Sequence, residues 1–345
     1  VGSAGRCRPA HNAVQLRELS IGCFGGGTGL PSLLGGLKRN PWLRLNAVVT
    51  MFDSGGSSGQ LRDELGVLPP GDIRNCMVAL APDETLISRL FQYRFASGRG
   101  LKGHSFGNLF LTAMTELTGD FPHAVRLSAE VLKVCGQIYP STATNVTLKA
   151  TLADGRIVKG ETKISRSKVP IERISLEPQV AKPLPDALDA IARADLITLG
   201  PGSLFTSVVP NLLVKGIPEA IAASRATKAY FVNLMSQPGE TSNFRASDHI
   251  AALLRHGGAL GRPLVNVCVV NNRALPASAV ARYKKQAAQP VANDVEVIHR
   301  MGMSVMSADL IRALRPGATI RHDPGAIGAI AVELALDSRR GRKKS

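Results

Sequence analysis

The feature that most constrains the fold of this 345-residue chain is a glycine-rich loop that directly follows a short apolar run. The run covers residues 19–24, and the loop is Gly25-Gly26-Gly27-Thr28-Gly29. Pro31 then opens a helical pattern, because proline suits the first helical turn, and residues 45–52 form a second β-rich run. Strand, glycine loop, helix and strand within about 35 residues predict a βαβ unit, which requires a parallel sheet.

The rest of the chain continues this alternation with one interruption. Residues 105–117 and 122–134 show helical periodicity, whereas the alternating pattern around Asp154-Gly155 is typical of a β-hairpin. Further strands are predicted at 195–199, 229–235, 265–270 and 295–298. The sequence therefore predicts a Rossmann-like α/β fold: a mostly parallel sheet with helices on both faces, and a small antiparallel β excursion at about 143–177.

Composition limits the possible domain organisation of the chain and the cellular compartment in which it works. We expect a disordered leader at 1–15, a single α/β domain over 16–335 and a solvated, disordered basic tail at 336–345. Five scattered cysteines without a C-x-x-C pair predict a reducing, cytoplasmic setting. No apolar run approaches the ~18 residues that a membrane span needs.

The net charge of +16 suits an anionic ligand and, taken alone, contact with nucleic acid equally well. Aromatic residues make up only 4% of the chain, which argues against a surface that stacks single-stranded bases. We therefore expect a small anionic ligand and no nucleic-acid partner.

Polar loops follow the predicted strands, and ligands bind at the carboxyl edge of open α/β sheets. The glycines of the first loop suit backbone N–H contacts with phosphate, although a tight turn without a ligand explains them too. Asp53 suits a ribose hydroxyl or a hard cation, or it caps a helix. The other phosphate-loop candidates are Gly55, Gly56, Ser57 and Ser58 after the second strand, and Gly200, Gly202 and Ser203 after a later one.

Single polar side chains also stand just before predicted helices. Arg74 suits a bidentate pair with phosphate, although a capping Asp72 beside a surface arginine explains the same residues. His104 lies among small polar residues, and a lone histidine is more often structural than catalytic. The candidates for a catalytic role are Asp53, Asp72 and His104. The remaining candidates for ligand contact are Asn75, Ser105, Asn108, Asn233, Tyr283 and Arg321.

In this order, the loops resemble the CofD-like superfamily, and most closely its YvcK branch, the gluconeogenesis factors. The resemblance extends from about residue 19 to residue 330. It is carried by motifs at 25–30, 53–59, 65–75, 104–108, 199–207 and 237–241.

The resemblance implies a Rossmann-like fold that binds a UDP-sugar, notably UDP-N-acetylglucosamine, and requires no cofactor. It also implies a regulatory role in gluconeogenic growth, cell-wall precursor supply and cell shape, exercised through a protein partner; a homodimer is left open. It makes Tyr283 and Arg321 stronger candidates for ligand contact than their sequence context alone does.

The related transferase branch implies an alternative function. Its members transfer a phospholactate-type group from a guanylated donor to a deazaflavin precursor, and they use a divalent metal. Most relatives carry two adjacent acids in the second loop, whereas here Asp53 is followed by Ser54. Hard cations favour several oxygen ligands, so Asp53 alone makes a poor Mg²⁺ site, and the transferase reading is weakened.

Overall fold

The structure is a computed structural model that describes residues 18–344, except 83–84, 259–260, 262 and 314–316. The leader predicted at 1–15 lies outside the described residues. The strands are β1 (Leu19–Gly25), β2 (Leu43–Val49), β3 (Gln137–Pro140), β4 (Thr147–Leu152), β5 (Ile157–Lys159), β6 (Ile171–Glu177), β7 (Leu196–Leu199), β8 (Thr227–Phe231), β9 (Val267–Asn271) and β10 (Ser304–Ala308).

Helices connect most of these strands. They are α1 (Gly29–Leu37), α2 (Gly56–Leu65), α3 (Gly71–Leu80), α4 (Leu86–Gln92), α5 (Phe106–Thr118), α6 (Phe121–Val131), α7 (Glu161–Ser165), α8 (Pro185–Arg193), α9 (Val209–Leu212), α10 (Ile217–Ala223), α11 (Ala246–Gly257), α12 (Ala277–Lys284), α13 (Val295–Arg300) and α14 (Pro324–Lys344). A π-helical turn over Leu204–Val208 leads directly into α9. Within the described residues no single helix is long and apolar enough to cross a membrane, although one bent pair, Leu204–Leu212 with Ile217–Ala223, meets that length and composition.

The main sheet of the described residues has seven strands in the order β10-β9-β8-β7-β1-β2-β3, and all neighbouring strands run parallel. The central strand β1 pairs with β2 on one side and with β7 on the other. The chain therefore winds outward from β1 in two opposite directions. In open α/β sheets such a reversal leaves a crevice at the carboxyl ends of the two strands. The predicted parallel sheet is confirmed.

Side chains alternate across the sheet and build an apolar core on each face. Ile21 and Cys23 of β1 pack under α1, α3 and α14, whereas Phe24 belongs to the cluster under α8, α10 and α11. The central strands are buried on both faces, which explains why they read as continuous apolar runs in the sequence. The predicted helices on both faces are confirmed.

The predicted antiparallel excursion is a three-stranded sheet in the order β5-β4-β6. Leu148, Ala150 and Leu152 of β4 are buried and join the second core cluster, while the residues between them are partly exposed. Helix α7 connects β5 to β6, and the Thr162 N–H group donates to Ser54 Oγ at 3.0 Å. The excursion therefore packs against the loop that follows β2.

One sequence prediction about the edges of the sheet is wrong, and the strands at both edges were not predicted. The predicted strand at 295–298 is helix α13, and the edge strand is β10. Four residues with three apolar side chains fit one helical turn as well as a strand, and here only Ile298 is fully buried. Strand β3, at the other edge, was not predicted. In addition, α1 begins at Gly29, two residues before Pro31.

The basic C-terminal run continues helix α14 and does not form the solvated tail that its charge predicts. The guanidinium groups of Arg339 and Arg342 pair with Asp195 at the start of β7, and Asp195 Oδ2 also accepts from the Ser20 N–H group at 2.9 Å. Burial by itself raises the pKa of Asp195, but the bonds from Arg339 and Ser20 hold it below its ordinary value. A buried carboxylate needs such partners, so the tail is fixed in place.

We expect Asp195→Asn to lower the free energy of unfolding by about 2 kcal/mol, because two partly buried guanidiniums lose their carboxylate. Urea unfolding at pH 7, followed by circular dichroism, measures this. The loss should shrink below about pH 4, because a depressed folded-state pKa stabilises the fold only while the carboxylate is ionised.

The control is Asp189→Asn, which breaks a pair with Arg193 in which both side chains are more than two-thirds exposed. That change should cost no more than about 0.5 kcal/mol. Equal losses for the two variants would contradict a role of Asp195 in fixing α14.

Candidate functional site

The loops after β1 and β7 touch at the point where the strand order reverses. Gly29, the first residue of α1, lies so close to the 200–203 loop that a Cβ atom there would overlap the carbonyl oxygen of Pro201. The Gly200 N–H group donates to the Phe24 carbonyl oxygen at 2.9 Å. Glycine is therefore required at position 29 by close approach of two backbones. The two predicted glycine loops therefore pack directly against each other.

A cavity of about 370 Å³, here called the crossover cavity, opens above these two loops. Its volume is in the range of pockets that bind small molecules. Eight of the residues predicted to contact a ligand line it: Gly27, Thr28, Gly29, Gly202, Ser203, Asn233, Tyr283 and Arg321. Gly25, Gly26 and Gly200 belong to the same loops without lining the cavity described here.

The polar groups of the crossover cavity are held by hydrogen bonds. Arg321 Nη1 donates to Thr28 Oγ1 at 3.1 Å, and Gln237 Nε2 donates to Ser203 Oγ at 2.7 Å. In the described part of the chain no carboxylate pairs with the Arg321 guanidinium. A cation without an acidic partner, beside the N-terminus of α1, suits an anionic group such as a phosphate.

Tyr283 and His322 form another part of the wall. The Tyr283 hydroxyl oxygen accepts from the Ile320 N–H group at 2.9 Å, so the ring is fixed against the 319–322 segment. The Arg282 guanidinium lies 5.4 Å from the centre of that ring. His322 Nε2 lies 3.2 Å from the Val232 carbonyl oxygen, and burial lowers the pKa of His322 to about 4. His322 is therefore neutral at pH 7.

A second group of predicted residues, here called the loop cluster, follows β2 and does not line the crossover cavity in the described part of the chain. Ser57 Oγ lies 3.1 Å from His104 Nδ1, and Ser105 Oγ caps α5 by accepting from the Asn108 N–H group. Asn108 in turn accepts from Arg74 Nε at 3.2 Å. The remaining members are Asp53, Gly55, Gly56, Ser58, Asp72 and Asn75.

Asp72 joins the loop cluster to the first glycine loop. Its Oδ2 atom accepts from Thr50 Oγ1 at 3.2 Å, and its carboxylate also accepts from the Gly27 N–H group. Burial raises the pKa of Asp72 to about 6, with a contribution from the charge of Asp53, although the bonds from Gly27 and Thr50 oppose the shift. The position of the glycine loop thus depends on a carboxylate of α3.

Sequence reasoning missed two acids near this cluster, Glu161 and Glu240. Burial and the charge of Asp53 raise the pKa of Glu161, which lies on α7. Asp53, Asp72 and Glu161 therefore interact, but no group of three or more metal-ligating side chains with a geometry that could hold an ion occurs among the described residues. The proposed contact of Asp53 with Mg²⁺ stays a prediction.

Glu240 is fully enclosed in the loop after β8. Its Oε1 atom accepts from Ser165 Oγ and Thr206 Oγ1, both at 3.3 Å, while its Oε2 atom has no partner among the described residues. Burial raises the pKa of Glu240 to about 7, against hydrogen bonds from Phe205, Ser165 and Thr206. This residue ties α7 to the π-helical turn that follows Ser203. In the sequence, the one indication that Glu240 has a role is its place in the 237–241 motif.

Comparison with known proteins finds matches over most of the chain. Residues 21–311 match the family model described as 2-phospho-L-lactate transferase CofD. The gluconeogenesis factor of Bacillus subtilis is 44% identical over 314 residues, which are 91% of this chain and 97% of that protein. The gluconeogenesis factor of Halalkalibacterium halodurans is 42% identical over 92% of this chain and 97% of that protein. A crystal structure of a UPF0052-family protein from Bacillus halodurans has a TM-score of 0.87 at 42% identity. The match covers 92% of this chain and 99% of that protein.

We expect Gly29→Ala to lower the free energy of unfolding by about 2 kcal/mol, because the new methyl group pushes two backbone loops apart. Gly35→Ala on the same helix is the matched control, since a Cβ atom there meets no described atom within 4 Å. Alanine at position 35 should instead add about 0.5–1 kcal/mol through its helix propensity. Urea unfolding of both variants checks this, and a change of the same sign in both would refute the close contact.

We expect Glu240 to add about 1 kcal/mol of stability as the pH falls from 8 to 6, while the buried and partly buried histidines, whose pKa values are lowered, oppose this gain. The folded-state pKa of Glu240 is raised, so the folded protein holds this proton more tightly than the unfolded chain does. Relative to wild type, Glu240→Gln should therefore lose about 1 kcal/mol of stability between pH 8 and pH 6, whereas Glu116→Gln, at an exposed position of α5, should follow the wild-type profile. A wild-type profile that Glu240→Gln does not alter would count against this assignment.

Proposed function

This chain belongs to the CofD family, and from that premise we propose that it is a regulatory protein that binds a UDP-sugar, with UDP-N-acetylglucosamine as the first candidate. A role linked to gluconeogenesis is supported by the name of relatives that match nine-tenths of the chain. More specifically, we propose that the protein is a cytoplasmic sensor, which adjusts cell-wall precursor supply and cell shape by contact with a protein partner.

The observation that carries the proposal is the Arg321 guanidinium beside the glycine loop. It lies in the crossover cavity next to Thr28, without a carboxylate partner in the described part of the chain. A diphosphate would supply the missing negative charge and would accept from the guanidinium and from backbone N–H groups of the loop. The ring of Tyr283 offers a flat surface for a base, and the amide of Asn233 offers hydrogen bonds to a uracil or to sugar hydroxyls.

Binding without turnover is supported by the side chains of the cavity. No carboxylate, cysteine or lysine of the described residues lines it. His322 is neutral at pH 7 and lies against a backbone carbonyl, so it is a poor general acid. A cavity that fixes an anion but lacks an acid–base pair suits a sensor better than an enzyme.

A transferase function is the second candidate, and the interaction of Asp53, Asp72 and Glu161 favours it together with the description of the family model. Such an enzyme would use a guanylated donor and Mg²⁺. However, Asp53 Oδ1 already accepts from the Gly55 N–H group, Asp72 is bonded to Thr50, and the residue after Asp53 is a serine and not a second acid. The residues present do not fit a complete metal site.

The decisive experiment is calorimetric titration of the protein with UDP-N-acetylglucosamine, UDP, GDP and NAD, each with and without Mg²⁺. We expect binding of the two uridine ligands, little affected by Mg²⁺, and no product after hours of incubation. Ligand at ~100 times its dissociation constant should also stabilise the fold by about 2.7 kcal/mol. Binding of GDP only, and only with Mg²⁺, would overturn the sensor in favour of the transferase.

We expect Arg321→Ala to weaken UDP binding about 10-fold to 100-fold, because the diphosphate loses a charge-assisted hydrogen bond. The same titration measures it. Arg300→Ala is the control, since Arg300 is an exposed arginine at the C-terminal end of α13, which leads into the amino end of β10, whereas the crossover cavity lies at the carboxyl ends of the strands. Equal affinity of wild type and Arg321→Ala would remove the main support for the proposed site.

A further inference from the structure

A second cavity of about 240 Å³ adjoins the crossover cavity at the carboxyl ends of β8 and β9. The two cavities share Asn233 and Leu234 in their walls. We call it the asparagine cavity, because four asparagines line it: Asn233, Asn271, Asn272 and Asn293. It lies on the ligand-binding edge of the sheet, one strand further from β1 than the crossover cavity.

The charges of the two cavities differ. The cation of the asparagine cavity, Arg273, pairs with Asp309 at 3.3 Å, so its charge is compensated. Within the described residues no carboxylate lines this cavity, and Arg273 is its one charged side chain. Arg321 in the crossover cavity has no such acidic partner among the described ion pairs. An anion is therefore favoured in the crossover cavity and a neutral polar group in the asparagine cavity.

The asparagine cavity also has a fixed frame. Asn271 Nδ2 donates to the Arg273 carbonyl oxygen at 2.7 Å, and Asn271 Oδ1 accepts from the Leu310 N–H group at 3.1 Å. Asn293 Nδ2 donates to the Asn271 carbonyl oxygen at 2.6 Å. By contrast, the side chain of Asn272 is exposed and makes no hydrogen bond with any described residue. A solvated amide beside a hydrogen-bonded frame can exchange its water for a polar ligand at little cost in side-chain entropy to the rest of the wall.

We propose that the asparagine cavity is the subsite for the sugar of the nucleotide ligand, with the diphosphate and base in the crossover cavity and Asn233 at the junction. This inference rests on the proposed function. The crossover cavity is near the lower end of the roughly 300–1,000 Å³ that small-molecule sites occupy, so a complete nucleotide sugar needs additional space. Amide groups can donate to and accept from sugar hydroxyls and an acetamido group at once, and they add no charge.

The test compares UDP-N-acetylglucosamine with UDP in calorimetric titrations of the full chain. We expect wild type to bind the sugar nucleotide more tightly than UDP. Asn272→Ala should weaken binding of the sugar nucleotide about fivefold to tenfold, because it removes hydrogen bonds to the sugar, and it should leave UDP binding within about twofold. Asn40→Ala, just before the amino end of β2 and thus away from the carboxyl ends of the strands, is the matched control and should change neither.

Ala274→Trp is the second variant, because an indole at this exposed wall position should fill the cavity without entering the core. It should weaken binding of the sugar nucleotide at least tenfold and leave UDP binding within about twofold. Equal losses for both ligands, or no change in either, would overturn the sugar subsite. Equal affinity of wild type for both ligands would overturn it too, whereas wild type that binds neither ligand would overturn the proposed function itself.

Discussion

The contact between two backbone loops at the centre of the sheet is the constraint on which the candidate site depends. Gly29 at the start of α1 lies against Pro201, and the end of β1 is bonded to Gly200. Because these loops follow β1 and β7, where the strand order reverses, their contact forms the floor of the crossover cavity and leaves the N-terminus of α1 beside it. The glycines therefore serve packing and ligand binding together: the absence of a side chain that lets the loops meet also exposes backbone N–H groups.

Side chains behind this floor decide how rigid it is. Asp72 bonds the first glycine loop and Thr50, while His104 and Ser57 join the 53–59 loop to the start of α5. On the other side, Glu240 joins α7 of the small sheet to the turn after Ser203. These partly or fully buried acids keep raised pKa values because burial outweighs the hydrogen bonds they accept. Ionisation of these acids near neutral pH therefore lowers the stability of the fold next to the site, as is common where function competes with stability.

Several of the cations discussed above are already paired with an acidic residue, and this pairing decides which of them can bind an anionic ligand. Arg339 and Arg342, in the basic C-terminal run, neutralise Asp195 at the amino edge of the sheet and are thereby committed to holding α14. Arg273 pairs with Asp309, whereas Arg321 lies in the crossover cavity bonded only to the hydroxyl of Thr28 among the described side chains. The net charge of +16 therefore says little about the ligand, because the pairing of each cation, and not their number, sets the local potential.

The sequence by itself determined the parallel sheet, the helices on both faces, the antiparallel excursion and the loops that form the site. Apolar periodicity, Asp154-Gly155 and the glycine runs are local signals, and local backbone preferences act wherever the segment ends up. It did not determine the edge strand β10, because four residues at 295–298 fit a helical turn equally well. It also could not show that α14 continues through the basic run, since that depends on Asp195, 144 residues earlier in the chain. Only the tertiary structure separated the residues of the crossover cavity from those of the loop cluster, because which polar side chains face a cavity and which bond one another is set by packing between distant segments.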